Sequence, residues 1–166
     1  TEYSVTADSD NQENIDDIRV VVEDGVLRVK RNREFNLFDH EKWERVGIVI
    51  TMPTIENLSL SGANKTLVTE FKDLQKLNVE ISGASKTELN VFVDQLSVNV
   101  SGASKATLRG SAKSARLDAH GACKLSATEM NIQNAEVDAS GASKVELSHV
   151  PNLNKHASGA SKISVQ

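Results

Sequence analysis

The sequence contains few aromatic residues and only one cysteine. Phe, Trp and Tyr together make up 4% of the 166 residues, and the single cysteine is Cys123. One cysteine excludes an internal disulfide, so the fold must be stabilised by its core. Hydrophobic residues reach 39%, and without aromatic rings they are mainly Val, Leu, Ile and Ala. Such a composition suits a narrow β interior.

The chain also lacks a strongly basic segment and a membrane span. The formal net charge is −4, with 12 acidic and 7 basic residues in 1–53 and 11 acidic and 12 basic residues in 54–166. Neither part is basic enough to predict a nucleic-acid partner. The sequence opens on Thr1 rather than methionine. We therefore expect a chain whose signal segment has been removed, with a membrane connection only through a missing N-terminal anchor.

A five-residue motif recurs six times between Ser61 and Lys162. Its first residues are spaced 21, 19, 19, 20 and 18 positions apart. A near-constant period of about 20 residues predicts a solenoid in which each repeat forms one coil. The copies are Ser61-Gly62-Ala63-Asn64-Lys65, Ser82-Gly83-Ala84-Ser85-Lys86, Ser101-Gly102-Ala103-Ser104-Lys105, His120-Gly121-Ala122-Cys123-Lys124, Ser140-Gly141-Ala142-Ser143-Lys144 and Ser158-Gly159-Ala160-Ser161-Lys162.

Apolar and polar residues alternate on both sides of the motif. Leu77, Val79 and Ile81 precede the second copy, and Thr87 and Leu89 follow it at the same period of two. This period indicates strands with one buried face. A coil of about 20 residues has no room for a crossover helix as well as two strands, and the asparagine ladder of leucine-rich repeats is missing. The sequence therefore predicts an all-β, single-stranded parallel β-helix, with right-handed coiling.

We interpret residues 1–166 as one β-helix domain, with irregular N-terminal coils or a cap in 1–53 and six regular coils in 54–166. In the N-terminal part, Ile18–Glu23 and residues 26–30 read as two strands about a turn. Residues 41–45 form either a loop or a short helix, and residues 46–52 form a further strand. Solenoids need atypical terminal elements, which is the role we expect for this region.

The motif itself predicts a tight corner. A glycine at one point of every coil marks a position that needs a positive φ or a close backbone approach. We expect the following alanine to point inward and the next Ser, Asn or Cys to bond the backbone. Cys123 takes one of these positions, which predicts a buried small residue rather than a reactive thiol. A phosphate-binding loop is disfavoured because no helix pattern follows any copy.

The chain resembles a known bacterial family from residue 18 onward. The residues that carry the resemblance are 47–53, with their Met-Pro end, then 58–63 and the recurring Ser-Gly-Ala-Ser-Lys coils. They look like the "auto-transporter adhesin, head GIN domain" family, although Asn64, His120 and Cys123 depart from the motif. The resemblance implies a β-helical fold, export to the cell envelope and occurrence in Bacteroides-like bacteria. It implies no catalytic residues.

The fifth motif position places one lysine in every coil. Stacked coils would align these lysines into a stripe that binds a polyanion, such as an acidic polysaccharide, a lipopolysaccharide phosphate or a teichoic-type chain. Alternatively, the lysines form a solvated edge that guards against sideways strand pairing. Glu88 and Glu146 would weaken the field of the stripe. The six residues are Lys65, Lys86, Lys105, Lys124, Lys144 and Lys162.

A second outward column lies two residues before each motif. It includes Asp118, Asp138 and His156 in consecutive coils, with His120 beside Asp118. Carboxylates and imidazoles could bind a divalent ion. Nothing in the spacing selects a metal, however, so we interpret the column as a structural polar ladder and expect no cofactor.

Two functions of different classes remain open. The first is a non-catalytic cell-envelope module, an adhesin or surface scaffold that binds a glycan or another envelope component outside the cytoplasm. The second is a carbohydrate-active β-helix enzyme of the polysaccharide lyase or hydrolase kind, with Asp118 and Asp138 as the carboxylates. Sugar-stacking aromatics are scarce, since only Phe71 and Phe92 occur in the repeats. We favour the non-enzymatic function.

The last coil predicts a contact between molecules. Only residues 163–166 follow the sixth motif, and Lys155 stands where Val79, Val98 and Val137 are expected to point inward. An uncovered strand edge is a template for pairing with another chain. We therefore expect a homo-oligomer through the C-terminal coil.

Overall fold

The computed structural model describes residues 3–9, 15–31 and 46–166. The chain divides into two compact units, Thr1–Pro53 and Thr54–Gln166.

The first unit contains two antiparallel strand pairs. Strands β2 and β3 form a hairpin about Asp24 and Gly25, whose φ angles of 51° and 76° are those that a two-residue hairpin turn requires. The predicted strand–turn–strand is thus confirmed. Strand β1 pairs with β4. The bounds are β1 Ser4–Asp8, β2 Ile18–Glu23, β3 Val26–Arg31 and β4 Gly47–Thr51.

These pairs are not the additional coils considered for residues 1–53. Successive coils of a β-helix run in the same direction and pair in parallel, whereas β1–β4 and β2–β3 are antiparallel. The capping role of the unit stays a prediction. The loop or short helix expected at residues 41–45 lies outside the described residues.

The second unit is a parallel β-solenoid. Its strands pair in the order β5-β6-β7-β8-β9-β10-β12, and β11 also pairs with β9; every pairing is parallel. The all-β parallel solenoid predicted from the repeat is confirmed, with about 6 turns of roughly 19 residues. The strands are β5 Asn57–Leu60, β6 Lys65–Ile81, β7 Lys86–Gly102, β8 Lys105–Gly121, β9 Lys124–Gly141, β10 Lys144–Leu147, β11 Asn152–Ala157 and β12 Lys162–Val165.

The four long strands run from one motif to the next without a break. Segments that look like connections in the sequence, such as residues 109–114, lie inside these strands and pair with the coils on both sides. Arg109, for example, lies opposite Asn90 in one neighbouring coil and Glu129 in the other. The return part of each coil is therefore a third, bent stretch of strand.

Alternate residues fill the interior as the sequence predicts. Leu77, Val79 and Ile81 are at most 1% exposed, and each such side chain stabilises the fold by about 2 kcal/mol through burial. Within each long strand the chain bends before the stretch that leads to the next motif. At this bend the alternation of inward and outward residues shifts by one residue. Two polar residues stand together at each bend: Gln75-Lys76, Asp94-Gln95, Lys113-Ser114 and Gln133-Asn134.

The motif alanine points outward, so the inward orientation expected for it was wrong. Ala84 and Ala103 are exposed, whereas the next residues, Ser85 and Ser104, are 3% and 2% exposed. Inward and outward residues continue to alternate through the corner. The motif glycine falls at an inward position of this alternation, but it lies at the surface. The inward serine hydroxyl satisfies its hydrogen-bonding capacity locally, which makes its burial acceptable.

The carbonyl oxygen of a motif glycine contacts the next motif at its glycine, alanine and serine positions. The oxygen of Gly83 accepts hydrogen bonds from Ala103 N at 2.8 Å and Ser104 Oγ at 3.1 Å. Gly102 has φ +75°, and a Cβ on it would lie 2.6 Å from the same oxygen. A side chain at this position therefore meets both backbone strain and a fixed backbone atom.

We expect Gly102→Ala to lower the free energy of unfolding by about 2 kcal/mol or more, because its Cβ cannot avoid Gly83. Gly62→Ala is the matched control. Its φ of +87° is also left-handed, but nothing lies within 4 Å of its Cβ, so only backbone strain of about 1 kcal/mol applies. Chemical denaturation of both variants measures the difference. An equal loss in the two variants would contradict the close approach.

One strand edge of the last coil has no partner among the residues that the structure describes. Within the described residues, β12 pairs only with β10 and β11 only with β9. Lys162 N and Gln166 N donate to the preceding coil. Since hydrogen bonding alternates along a parallel strand, the N–H groups of Ile163 and Val165 point to the open edge. Lys155 lies opposite Val137 but is exposed.

We expect two copies to pair through the β12 edge in solution. Val165→Pro removes an N–H from the open edge only and should shift the population towards monomer. Val165→Thr keeps that N–H and serves as the control. Light scattering across a concentration series measures the association. A strict monomer at every concentration would contradict this expectation.

Candidate functional site

The structure aligns the six motif lysines into one column, as predicted. Each lysine pairs in register with the lysine of the next coil. Neighbouring strands lie about 4.8 Å apart, so five steps give a lysine stripe about 24 Å long. We use "lysine stripe" for Lys65, Lys86, Lys105, Lys124, Lys144 and Lys162.

Two glutamates neutralise part of the lysine stripe. Glu146 lies between two coils, with its carboxylate 2.6 Å from Lys124 Nζ and in contact with Lys144 Nζ. These two ammonium groups lower the pKa of Glu146 to about 2. The Glu88 carboxylate lies 3.2 Å from Lys86 Nζ, and this contact lowers the pKa of Glu88 as well. Arg109 lowers it further. The carboxylates thus remain ionised and relieve repulsion between stacked lysines.

The other three lysines of the stripe carry unpaired charge. Among the residues that the structure describes, Lys65, Lys105 and Lys162 form no ion pair. They lie in the first, third and sixth coils, so free ammonium groups occur along the whole length of the stripe. A polymer with repeated negative charges could contact all three at once.

Arg109 extends the basic surface beyond the stripe. It lies 3.3 Å from Glu88 and 3.0 Å from Glu129, and its pKa is raised, first by Glu129 and then by Glu88. The lysine stripe and Arg109 together therefore carry seven cations, and the glutamates paired with them are three, Glu88, Glu129 and Glu146. This set of groups keeps a net positive charge even with every carboxylate ionised.

The predicted polar ladder also forms, on the strand that precedes the motif. Asp118 lies opposite Asp138, which lies opposite His156. The Asp118 carboxylate accepts a hydrogen bond from Arg116 at 3.0 Å, and His120 Nδ1 lies 2.7 Å from Ser140 Oγ. No group of three or more His, Cys, Asp or Glu side chains in residues 3–9, 15–31 and 46–166 converges in a way that could bind a metal ion. The ladder thus makes local hydrogen bonds.

Cys123 is buried, as the sequence predicts for its position in the motif. It is 3% exposed, and its Sγ lies 3.5 Å from the carbonyl oxygen of Val100. Burial raises the pKa of the thiol, which keeps it protonated and a poor nucleophile.

The structure also contains a polar groove that sequence reasoning missed. The groove follows the bends of four coils and has a volume of about 490 Å³. The signal for it was present, because the second residue of each polar pair at a bend falls into one column: Lys76, Gln95, Ser114 and Asn134. The side chains that line it are Lys76, Asn78, Gln95, Ser97, Ser114, Arg116, Asn134 and Glu136, over Leu96, Ala115 and Ala135.

Comparison with known proteins gives one match. The family model described as "Putative auto-transporter adhesin, head GIN domain" matches residues 1–166. No curated protein and no solved structure matches the chain significantly. A search of the described residues for helices found none that is both long and apolar enough to cross a membrane.

The low pKa of Glu146 predicts a pH-dependent contribution to stability. Its folded pKa of about 2 lies below the ordinary glutamate value of about 4.3. The contribution of the Glu146 carboxylate to the stability of the fold is therefore fully present above about pH 4.3. It is lost as the pH falls through about 2. NMR titration of the Glu146 carboxyl carbon measures this pKa. Replacing both Lys124 and Lys144 with Met should return it towards the ordinary value; titration near 4.3 in the parent protein would contradict the bridge.

Proposed function

Because the chain belongs to the "auto-transporter adhesin, head GIN domain" family, we propose that it is a non-catalytic extracytoplasmic module of the cell envelope that adheres to an acidic polymer. The lysine stripe carries this proposal, since it places one cation in every coil on a single face. The polymer is a surface glycan or a similar envelope component with repeated carboxylate, sulfate or phosphate groups.

The chemistry of lysine supports a polymer rather than a small anion. A lysine ammonium is a hydrated point charge on a flexible stem and does not impose the planar geometry that arginine does. One exposed ion pair contributes only about 0.2–1 kcal/mol. A polymer held at one lysine meets the next at a high effective concentration, so several weak contacts act together.

The solenoid supplies the rigidity that such a surface needs. Each motif is hydrogen-bonded to the motif of the preceding coil, for example through Ala84 N to Gly62 O at 2.9 Å and Lys86 N to Asn64 O at 2.8 Å. The spacing of the lysines is therefore set before a ligand arrives, which reduces the ordering cost of binding.

The enzyme alternative has weaker support in the geometry. Asp118 is bonded to Arg116, and Arg116 also lies 2.8 Å from Glu136. One of the two carboxylates that would act on a sugar is thus engaged in an ion pair. Catalysis is tested together with binding below.

We expect the protein to bind polygalacturonate in low salt and to lose this affinity as the salt concentration rises. Replacing Lys65, Lys105 and Lys162 together with Gln should weaken binding about tenfold, since three exposed contacts of about 0.5 kcal/mol add to about 1.5 kcal/mol. Biolayer interferometry against immobilised polygalacturonate measures the affinity.

The control replaces three lysines outside the stripe, Lys72, Lys113 and Lys155, with Gln, so the change in net charge is the same. An equal loss of affinity in both triple variants would refute a role for the stripe. Cleavage of the polymer that disappears in Asp138→Ala would instead establish the enzyme alternative.

A further inference from the structure

The floor of the polar groove is formed by Leu96, Ala115 and Ala135, which are at most 6% exposed because their side chains point into the core. The inward column at this bend contains Leu77, Leu96, Ala115, Ala135 and Leu153 in consecutive coils. The volume of about 490 Å³ falls within the range of about 300–1,000 Å³ that is usual for ligand sites.

Neighbouring groups fix the polar side chains at the rim of the groove. Asn134 donates from Nδ2 to the carbonyl oxygen of Lys113 at 3.1 Å, and its Oδ1 accepts from Asn152 at 3.0 Å. Asn78 donates from Nδ2 to Asn57 Oδ1 at 2.9 Å. These amides are held in defined orientations before any ligand binds, which lowers the entropy cost of recognition.

The charges in the groove are mostly balanced. Arg116 lies between Asp118 at 3.0 Å and Glu136 at 2.8 Å, and these carboxylates raise its pKa, Asp118 more than Glu136. Lys76 is the remaining cation in the lining. The groove therefore presents far less positive charge than the lysine stripe does.

Two polar side chains in the middle of the groove are available to a ligand. Gln95 and Ser97 make no side-chain hydrogen bond to any part of the chain that the structure describes. Gln95 is exposed and Ser97 is half-buried. Together they offer two N–H donors, one O–H donor and several acceptor lone pairs.

We propose that the groove binds an uncharged stretch of polysaccharide lying along the solenoid axis. Amides and hydroxyls match the mixed donors and acceptors of sugar hydroxyl groups. Because the columns repeat about every 4.8 Å, a polymer meets two polar side chains at each of the four coils.

An extended peptide fits the groove less well. Peptides that bind β-sheets usually add a strand to an open edge. The backbone beneath the groove is already paired on both sides, since Gln95 lies opposite Lys76 in one neighbouring coil and Ser114 in the other. A ligand here must be recognised through side chains, which suits a carbohydrate.

This site is independent of the lysine stripe. Binding at the stripe depends on salt, whereas hydrogen bonding to a neutral sugar does not. The two sites can be separated by choosing conditions in which only one is active.

The test uses the 166-residue protein in 0.5 M NaCl with neutral hexasaccharides of glucose, xylose, mannose, galactose and N-acetylglucosamine as probes. Backbone amide NMR spectra locate the site. We expect at least one of the five probes to shift the amides of residues 95–97, 114–116 and 134–136 at millimolar concentration.

Replacing Gln95 and Ser97 together with Ala should weaken this binding at least tenfold. The matched control is Asn131→Ala with Gln133→Ala, two exposed polar residues of β9 outside the groove, which should leave the affinity unchanged. The rest of the amide spectrum reports whether each variant keeps its fold.

The proposal is overturned if none of the five hexasaccharides shifts the groove amides, or if the control weakens binding as much as the groove variant does. Equal affinity for unstructured peptides would also overturn it. Loss of polygalacturonate binding in the Lys→Gln triple variant, with neutral binding intact, would leave the groove proposal standing on its own.

Discussion

The glycine carbonyl at each corner is the constraint on which the solenoid depends. In the first and second coils this oxygen accepts the next coil's alanine N–H, at 2.9 and 2.8 Å, and the next coil's serine Oγ, at 3.0 and 3.1 Å. The same oxygen lies 2.5 and 2.6 Å from the position where the next glycine would carry a Cβ. This one atom therefore accounts for the Gly-Ala-Ser sequence of the second and third copies of the motif.

The fourth copy shows which parts of this corner can vary. Cys123 replaces serine there and its Sγ contacts the carbonyl oxygen of Val100 instead of a glycine, while Ala122 N still donates to Gly102 O at 2.9 Å. The backbone bond is thus the constant element. The side-chain bond varies even between serines, since Ser143 and Ser161 donate to the carbonyl oxygens of Ala119 and Ala139. A small inward group is required, but a hydroxyl is not.

Because the coils stack in register, equivalent motif residues form a line along the surface. Like charges in such a line repel one another. Two unit charges about 4 Å apart cost about 1 kcal/mol even in water, so six aligned lysines need relief. Glu88 and Glu146 provide it in particular coils, and Glu146 serves two lysines at once. The outcome is a stripe with both neutralised and free cations. The groove is the opposite case, because Arg116 is balanced by Asp118 and Glu136.

The sequence by itself determined the parallel coils, the lysine column and most of the inward residues, because a fixed period and strict alternation leave one consistent register. When the alternation of inward and outward residues is continued through the corner, it places the serine inward. The small size of alanine had suggested instead that the alanine points inward. The sequence places polar residues at every bend, but only the tertiary structure decided that they line a groove and which partners Glu146 and Arg116 have. These depend on where the chain bends and on side-chain contacts between residues about 20 positions apart. The bends shift the alternation by one residue, and in the first coil they place Glu70 and Asp73 at φ 70° and 57°. A local pattern carries no information about such contacts between coils.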